Sequence, residues 1–191
     1  MRPTTLAIAI AIAVLGLGCA GTEGPETEAE LAAEIGPGEP ASLETPFTAE
    51  EIRDEWVEGL EITVRRWTPS AEAFESWAVV AADNAGVDIA AVRVDADGAP
   101  VGEPAARHST WAELRDHAAF PADLAVRERM FRETPLGRFE GWLYTVDDPS
   151  SGTVNEFFFA ESLPGAPLQV RVLRDGEVVE IFEQVERSRP E

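Results

Sequence analysis

Residues 168–186, LQVRVLRDGEVVEIFEQVE, decide the fold class of this chain. Before Asp175, apolar residues alternate with polar ones, which is the period-two pattern of a half-exposed β-strand. An Asp-Gly pair between two strand-like runs is a strong indication of a hairpin with a type I′ turn. The stretch therefore predicts two antiparallel strands, at residues 168–174 and 177–186, joined by Asp175 and Gly176.

The strand pattern extends upstream through most of the chain. Strand-like runs bounded by turn residues are predicted at residues 60–67, 74–82, 87–94, 129–134, 138–147 and 153–161. Phe157, Phe158 and Phe159 place large apolar groups on both sides of the last of these, which predicts a central strand covered on both faces. The connections between successive strands in the C-terminal third are short, so we expect antiparallel pairing.

Capping patterns predict two short helices. Residues 48–51 (TAEE) and 110–113 (TWAE) both fit a capping box, in which Thr and Glu satisfy each other's backbone N–H groups. The first helix is expected to end at Gly59, and the second to cover residues 111–119. The expected fold class is α+β: a curved antiparallel β-sheet with two short helices packed on it.

The N-terminus has the pattern of an export signal. An apolar stretch at residues 6–17 follows Arg2 and is shorter than the ~20 residues of a spanning helix. Residues 15–19 (LGLGC) resemble the lipobox of bacterial lipoproteins, although Gly16 replaces the usual aliphatic residue. The resemblance implies a lipoprotein signal peptide at residues 1–18 and lipidation of Cys19, the single cysteine. The alternative is a secreted protein with a free thiol.

Composition divides the remainder of the 191-residue chain, whose length suits one domain. Residues 19–46 are rich in Glu and Pro and contain no basic or aromatic residue, which predicts an acidic disordered tether. A single α+β domain is expected at residues 47–187, and residues 188–191 are expected to be a C-terminal tail.

Charge and motifs exclude several classes of function. The net charge is -21, which argues against non-specific nucleic-acid binding. All 15 basic residues are arginine, so lysine Schiff-base chemistry is excluded. We expect no catalytic residue and no cofactor, because no nucleophile motif occurs. His108 and His117 lack the spacing of a zinc site, so no metal is expected. If the chain were an enzyme, the site would lie near His108, Asp116 and His117.

The aromatic residues indicate a large core and leave a pocket open as an alternative. Aromatic rings on curved strands that helices close can line an apolar cavity. The residues predicted to line such a pocket are Trp67, Trp77, Trp142, Phe157 and Phe159.

The C-terminal third is similar to a family of exported proteins. Residues 134–144 (TPLGRFEGWLY), 156–159 (EFFF) and 163–168 (LPGAPL) resemble the pattern of the lipoprotein-carrier and lipoprotein-acceptor family (LolA/LolB-like). The resemblance implies a half-barrel-like sheet closed by helices, with an apolar hollow for acyl chains. It covers roughly residues 129–186 and contains no catalytic motif.

These features lead to competing functions. The leading hypothesis is a non-enzymatic lipoprotein of the cell envelope, expected at the outer membrane, that binds an apolar ligand or acyl chain. The alternative is a surface interaction or structural lipoprotein with a solid core and an acidic exterior for a partner. The expected partners are the membrane, through acylated Cys19, and a lipid or lipoprotein ligand. No nucleic acid is expected as a partner, and the chain is expected to be a monomer.

Overall fold

The computed structural model describes residues 41–190 of the chain, and the predictions for residues 1–40, including Cys19, lie outside this part. Two helices and nine strands are described. They are α1 (Ala49–Glu55), β1 (Glu61–Thr68), β2 (Ala71–Ala82), β3 (Gly86–Val94), β4 (Pro100–Thr110), α2 (Trp111–Asp116), β5 (Ala125–Thr134), β6 (Gly137–Asp148), β7 (Thr153–Ala160), β8 (Gln169–Arg174) and β9 (Glu177–Ser188).

All nine strands form one antiparallel sheet in the order β4-β3-β2-β1-β9-β8-β7-β6-β5. Strands β1–β4 and β5–β9 are each a meander, in which neighbours in sequence pair with each other. The two meanders join where β9 pairs with β1. The predicted α+β class, an antiparallel sheet with two short helices, is confirmed.

Local sequence signals are reproduced closely. Asp175 and Gly176 have φ values of 53° and 79°, which is the pair of positive values that a type I′ turn requires. Both predicted capping boxes are present, at Thr48 and at Thr110. The helices end earlier than predicted, because Trp56 leaves the helical conformation after Glu55 and α2 ends at Asp116.

The sequence patterns missed β4 entirely and placed the start of β5 four residues too late, at residue 129. β4 contains Gly102 and Pro104 and is almost fully exposed, so it has no alternation of apolar and polar residues. It lies at the edge of the sheet, where proline is tolerated because no further strand needs its N–H. β5 is the opposite edge strand, and its charged residues obscure the pattern in the same way.

The folded part extends beyond the predicted limits 47–187 at both ends. The carbonyl of Ala41 accepts from the N–H of Ala122, and the N–H of Leu43 donates to the carbonyl of Phe120. At the other end, β9 continues to Ser188, and the Arg189 guanidinium contacts the Glu55 carboxylate at 2.9 Å. Composition predicted neither contact, because each depends on residues distant in sequence.

Alternation along the strands divides the sheet into two faces. We call one the helix face: it bears Ile62, Val64, Trp77, Tyr144 and Phe159. α1 contacts this face through the Glu55–Arg187 ion pair, and α2 contacts α1. The opposite side is the open face, which bears Thr63, Phe74, Arg132, Phe158 and Glu183 among others. Of the described helices, neither covers it.

The strand β7 contributes to the core on both faces, as predicted. Phe159 is 3% exposed on the helix face, where its ring meets that of Phe47 edge to face at 6.3 Å. Phe158 is fully buried on the open face against Leu143. Each such side chain contributes roughly 1.5–3 kcal/mol by its removal from water, so this strand anchors both layers.

The sheet is strongly curved in its β5–β9 half. Cα atoms of β5 come within 8 Å of Cα atoms of β9, although three strands lie between them. In a flat sheet, four strand spacings would separate the two by about 19 Å. The curvature is toward the open face, because the side chain of Arg132 on β5 reaches Gln169 on β8 across that face.

Candidate functional site: the open face of the sheet

The structure does not bring the five predicted pocket residues together. Trp77, Trp142, Phe157 and Phe159 lie on the helix face, whereas Trp67 lies on the open face. Each of the first four has a close partner. The ring centroid of Trp77 lies 5.6 Å from that of Phe182, and the Arg127 guanidinium lies 3.7 Å above the ring of Trp142. The ring centroids of Phe157 and Phe120 are 4.7 Å apart, and those of Phe159 and Tyr144 are 5.7 Å apart.

An apolar cluster occupies the open face of the curved half. Leu143, Phe158, Ala160 and Leu168 are buried at its centre. Half-buried side chains surround them, from Met130, Leu136, Phe139 and Leu163. The cluster therefore combines a filled centre with a partly exposed apolar border.

Charged and polar side chains cross the open face beside this cluster. Arg132 and Arg171 both contact the Glu156 carboxylate at 3.0 Å, and Arg132 also donates to Gln169. Gln169 donates to Glu183 at 2.8 Å, and Glu183 pairs with Arg65. The Arg132 side chain is only 12% exposed. Its charge would lose its remaining water under an acyl chain, which is unfavourable.

An acidic groove of about 440 Å³ lies at the other end of the open face. β1, β2, β3 and β9 form it, and the turn between β3 and β4 closes one side. Its lining residues are Glu61, Thr63, Phe74, Ser76, Val94, Asp95, Ala96, Asp97, Gly98, Val185, Glu186 and Ser188. Val185 is the extra residue where the β1–β9 register shifts between Thr63 and Val64. We refer to these residues as the acidic groove.

Sequence reasoning missed the groove, although alternation held a weak indication of it. Ile62, Val64, Trp77 and Val79 are buried, so the positions next to them along each strand must face the other way. Those positions include Thr63 and Ser76, whose polar character marks a wet face. Their approach to the turn at Asp95 depends on sheet pairing, which no local pattern specifies.

The side chains of Asp83 and Asp95 stabilise Asx-type turns. Asp83 accepts from the N–H groups of Ala85 and Gly86, and these hydrogen bonds lower the pKa of its carboxyl. Asp95 accepts from the N–H groups of Asp97 and Ala99.

The two histidines lie at different places in the fold. His108, on β4, contacts Asp88 at 2.8 Å through Nδ1, and His117 is the exposed C-cap of α2. Asp116 is exposed and pairs with its neighbour Arg115. Within residues 41–190, no three His, Cys, Asp or Glu side chains are grouped so that they could hold a metal ion.

We expect an unusual titration of Tyr144, the single tyrosine of the chain. Its hydroxyl donates to the carbonyl of Glu44 at 2.6 Å, and burial, with a smaller contribution from Glu44, raises its pKa to about 12. Arg127 opposes the rise. Phenolate absorbance should therefore have its midpoint near pH 12 in the folded chain and near pH 10 in denaturant.

The direction of the pH dependence follows from this shift. Tyr144 ionises at a lower pH in the unfolded chain than in the folded chain. Its contribution to the free energy of unfolding is therefore complete below about pH 10 and is lost as pH rises toward 12. The Tyr144→Phe variant should remove the absorbance change. A folded-state midpoint at pH 10 would contradict the burial of the hydroxyl.

The comparisons with known proteins concern the fold. No protein-family model matches the chain, and no curated protein matches it in sequence. Neither helix within residues 41–190 has the length and apolar character needed to cross a membrane.

Several solved structures are similar in fold. The crystal structure of MucB in complex with MucA(peri) aligns with a TM-score of 0.52 and 11% identity, over 73% of this chain and 52% of the matched chain. A candidate lipoprotein from Parabacteroides distasonis aligns with a TM-score of 0.44 and 8% sequence identity, over 70% of this chain and 96% of the matched chain. A candidate exported protein with a YmcC-like fold from Bacteroides fragilis aligns with a TM-score of 0.41 and 12% sequence identity, over 69% of this chain and 96% of the matched chain. The chain thus has a fold similar to that of MucB and spans about half the length of the matched chain.

Proposed function

We propose that this chain is a non-enzymatic lipoprotein of the cell envelope, anchored through acylated Cys19, that binds a protein partner through the open face. The observation that carries the proposal is the composition of that face. Half-buried apolar side chains such as Met130 and Phe139 lie beside the ion pairs of Arg132 and Arg171. Protein interfaces have this combination of an apolar centre and a polar rim.

The comparisons support a protein partner. MucB shares the fold at a TM-score of 0.52, and its structure was solved in complex with MucA(peri). The lipobox-like residues 15–19 support the anchor. An outer-membrane location is supported because no Asp follows Cys19, which in the better-known lipoprotein systems goes with delivery to the outer membrane. A firm attachment requires two or more acyl chains, which an N-terminal acylated cysteine of this type carries.

A second candidate is acyl-chain binding, which the resemblance to the lipoprotein-carrier family implies. The curvature of β5–β9 toward the open face favours it, because it is the shape of a half-barrel. The ion pairs of Glu156 with Arg132 and Arg171 disfavour acyl-chain binding, because they place charge where an acyl chain would lie. We therefore rank it below protein binding.

Photocrosslinking in the living cell tests the proposed function. A photoreactive amino acid at Val126, which is 68% exposed on the open face, should give one discrete protein adduct. The matched position is Ala112, exposed on α2 at the helix face, and it should give none. No adduct at Val126, or equal adducts at both positions, would overturn partner binding by the open face.

The same cells test the anchor. An azide-tagged fatty acid should label the wild-type chain and the Thr22→Ser variant, and it should not label Cys19→Ser. Labelling of Cys19→Ser would refute acylation at this residue.

If the purified full chain took up a fluorescent fatty acid and Val126 gave no adduct, the second candidate would replace the first.

A further inference from the structure

The acidic groove has an unbalanced charge. Glu61, Asp95, Asp97 and Glu186 contribute to its lining, and no arginine does. Elsewhere on the open face, Arg65, Arg132 and Arg171 each contact a carboxylate. Four carboxylates around one concavity raise the local concentration of cations, since low-dielectric walls focus the field.

The floor of the acidic groove is partly apolar. Phe74 and Val94 are register partners on β2 and β3, and both are half-buried. Beside them, Thr63 and Ser76 are register partners whose hydroxyls can donate to or accept from a peptide backbone. A matching ligand has an apolar side chain between positive charges, on an extended backbone.

The chain itself cannot supply such a ligand. Residues 21–46 contain seven glutamates and no basic residue, so like charge repels them from the acidic groove. A second copy of the chain has a net charge of -21 and is repelled in the same way. A basic segment of a different protein has the complementary charge.

We infer that the acidic groove binds a basic, extended peptide segment of the protein partner, in which arginine or lysine flanks an apolar residue. The inference rests on the proposed function and specifies the chemistry of the partner. Guanidinium and ammonium groups pair with Glu61 and Glu186, at the same end of the antiparallel strands β1 and β9, and with Asp97 on the turn between β3 and β4. The apolar residue packs on Phe74 and Val94.

Fluorescence anisotropy with the full chain in a nonionic detergent tests this inference. The probe is a fluorescein-labelled hexapeptide of alternating arginine and valine, and the control probe alternates glutamate and valine. We expect the basic peptide to bind and the acidic one not to bind. Raising the salt from 0.1 M to 1 M should weaken binding, because the Debye length falls from about 10 Å to about 3 Å.

Matched variants separate the groove from general charge attraction. The Glu61→Gln, Glu186→Gln double variant should bind the basic peptide at least about fivefold more weakly, since each exposed ion pair contributes modestly. The Glu128→Gln, Glu177→Gln double variant removes the same charge outside the acidic groove and should stay within about twofold. Equal loss in both variants, or no binding of the basic peptide, would overturn the inference.

The failure of this inference is distinguishable from failure of the proposed function. If the groove variants bind the peptide as the wild type does and the Val126 adduct persists, the acidic groove is not the docking site and the open face still binds a partner. If the Val126 adduct is absent, the proposed function fails whatever the peptide affinity.

Discussion

Replacing Gly165 with alanine is expected to lower the free energy of unfolding by about 4 kcal/mol. Gly165 has a φ of 120°, a conformation that residues with a Cβ rarely adopt. An added Cβ would also overlap the indole of Trp56, at 2.7 Å from Cε2 and 3.0 Å from Cδ1. Trp56 is 1% exposed, and its Nε1 donates to the carbonyl of Pro164 at 3.0 Å, so the ring cannot move aside without losing this bond.

Urea unfolding of the full chain, followed by tryptophan fluorescence, measures this effect. The matched control is Gly152→Ala, because Gly152 has a φ of 66° and nothing within 4 Å of an added Cβ. That variant carries only the backbone strain and should lose about 1 kcal/mol. Similar losses in the two variants would mean that Trp56 does not hold the 161–168 loop against α1.

The features of the fold that could be predicted from the sequence are those whose causes are local. A capping box involves four consecutive residues, and Thr48 and Thr110 both begin helices as expected. A type I′ turn needs two residues with positive φ, and Asp175 and Gly176 provide them. These signals do not depend on what the segment later packs against.

Features that depend on long-range pairing were not predictable in this way. β4 has no apolar periodicity, because an exposed edge strand buries little on either face. The meeting of β9 with β1, which joins the two meanders and forms the acidic groove, pairs Thr63 with Glu186 across more than half of the chain. The predicted lining of an apolar pocket assumed one hollow face, whereas Trp67 and Trp77 lie on opposite faces.

Replacing Arg187 with alanine is expected to lower the free energy of unfolding by about 3 kcal/mol. Arg187, on β9, is 7% exposed, and its Nη2 lies 2.7 Å from Oε1 of Glu55 at the end of α1. Burial lowers the pKa of the Arg187 guanidinium, and the Glu55 carboxylate opposes that change. Without the guanidinium, the Glu55 side chain, 10% exposed, keeps only Arg189 as a partner.

Two further variants identify the buried charge as the cause. Arg189 is 47% exposed, so Arg189→Ala should cost at most about 1 kcal/mol. The Glu55→Leu, Arg187→Leu double variant removes both charges and should be more stable than Arg187→Ala, because no buried carboxylate is left without its partner. If urea unfolding showed the double variant to be less stable than Arg187→Ala, the unpaired Glu55 carboxylate would not be the cause of the loss in Arg187→Ala. A more stable double variant would mean that the loss in Arg187→Ala comes from the Glu55 carboxylate, which stays buried on α1 without its partner on β9.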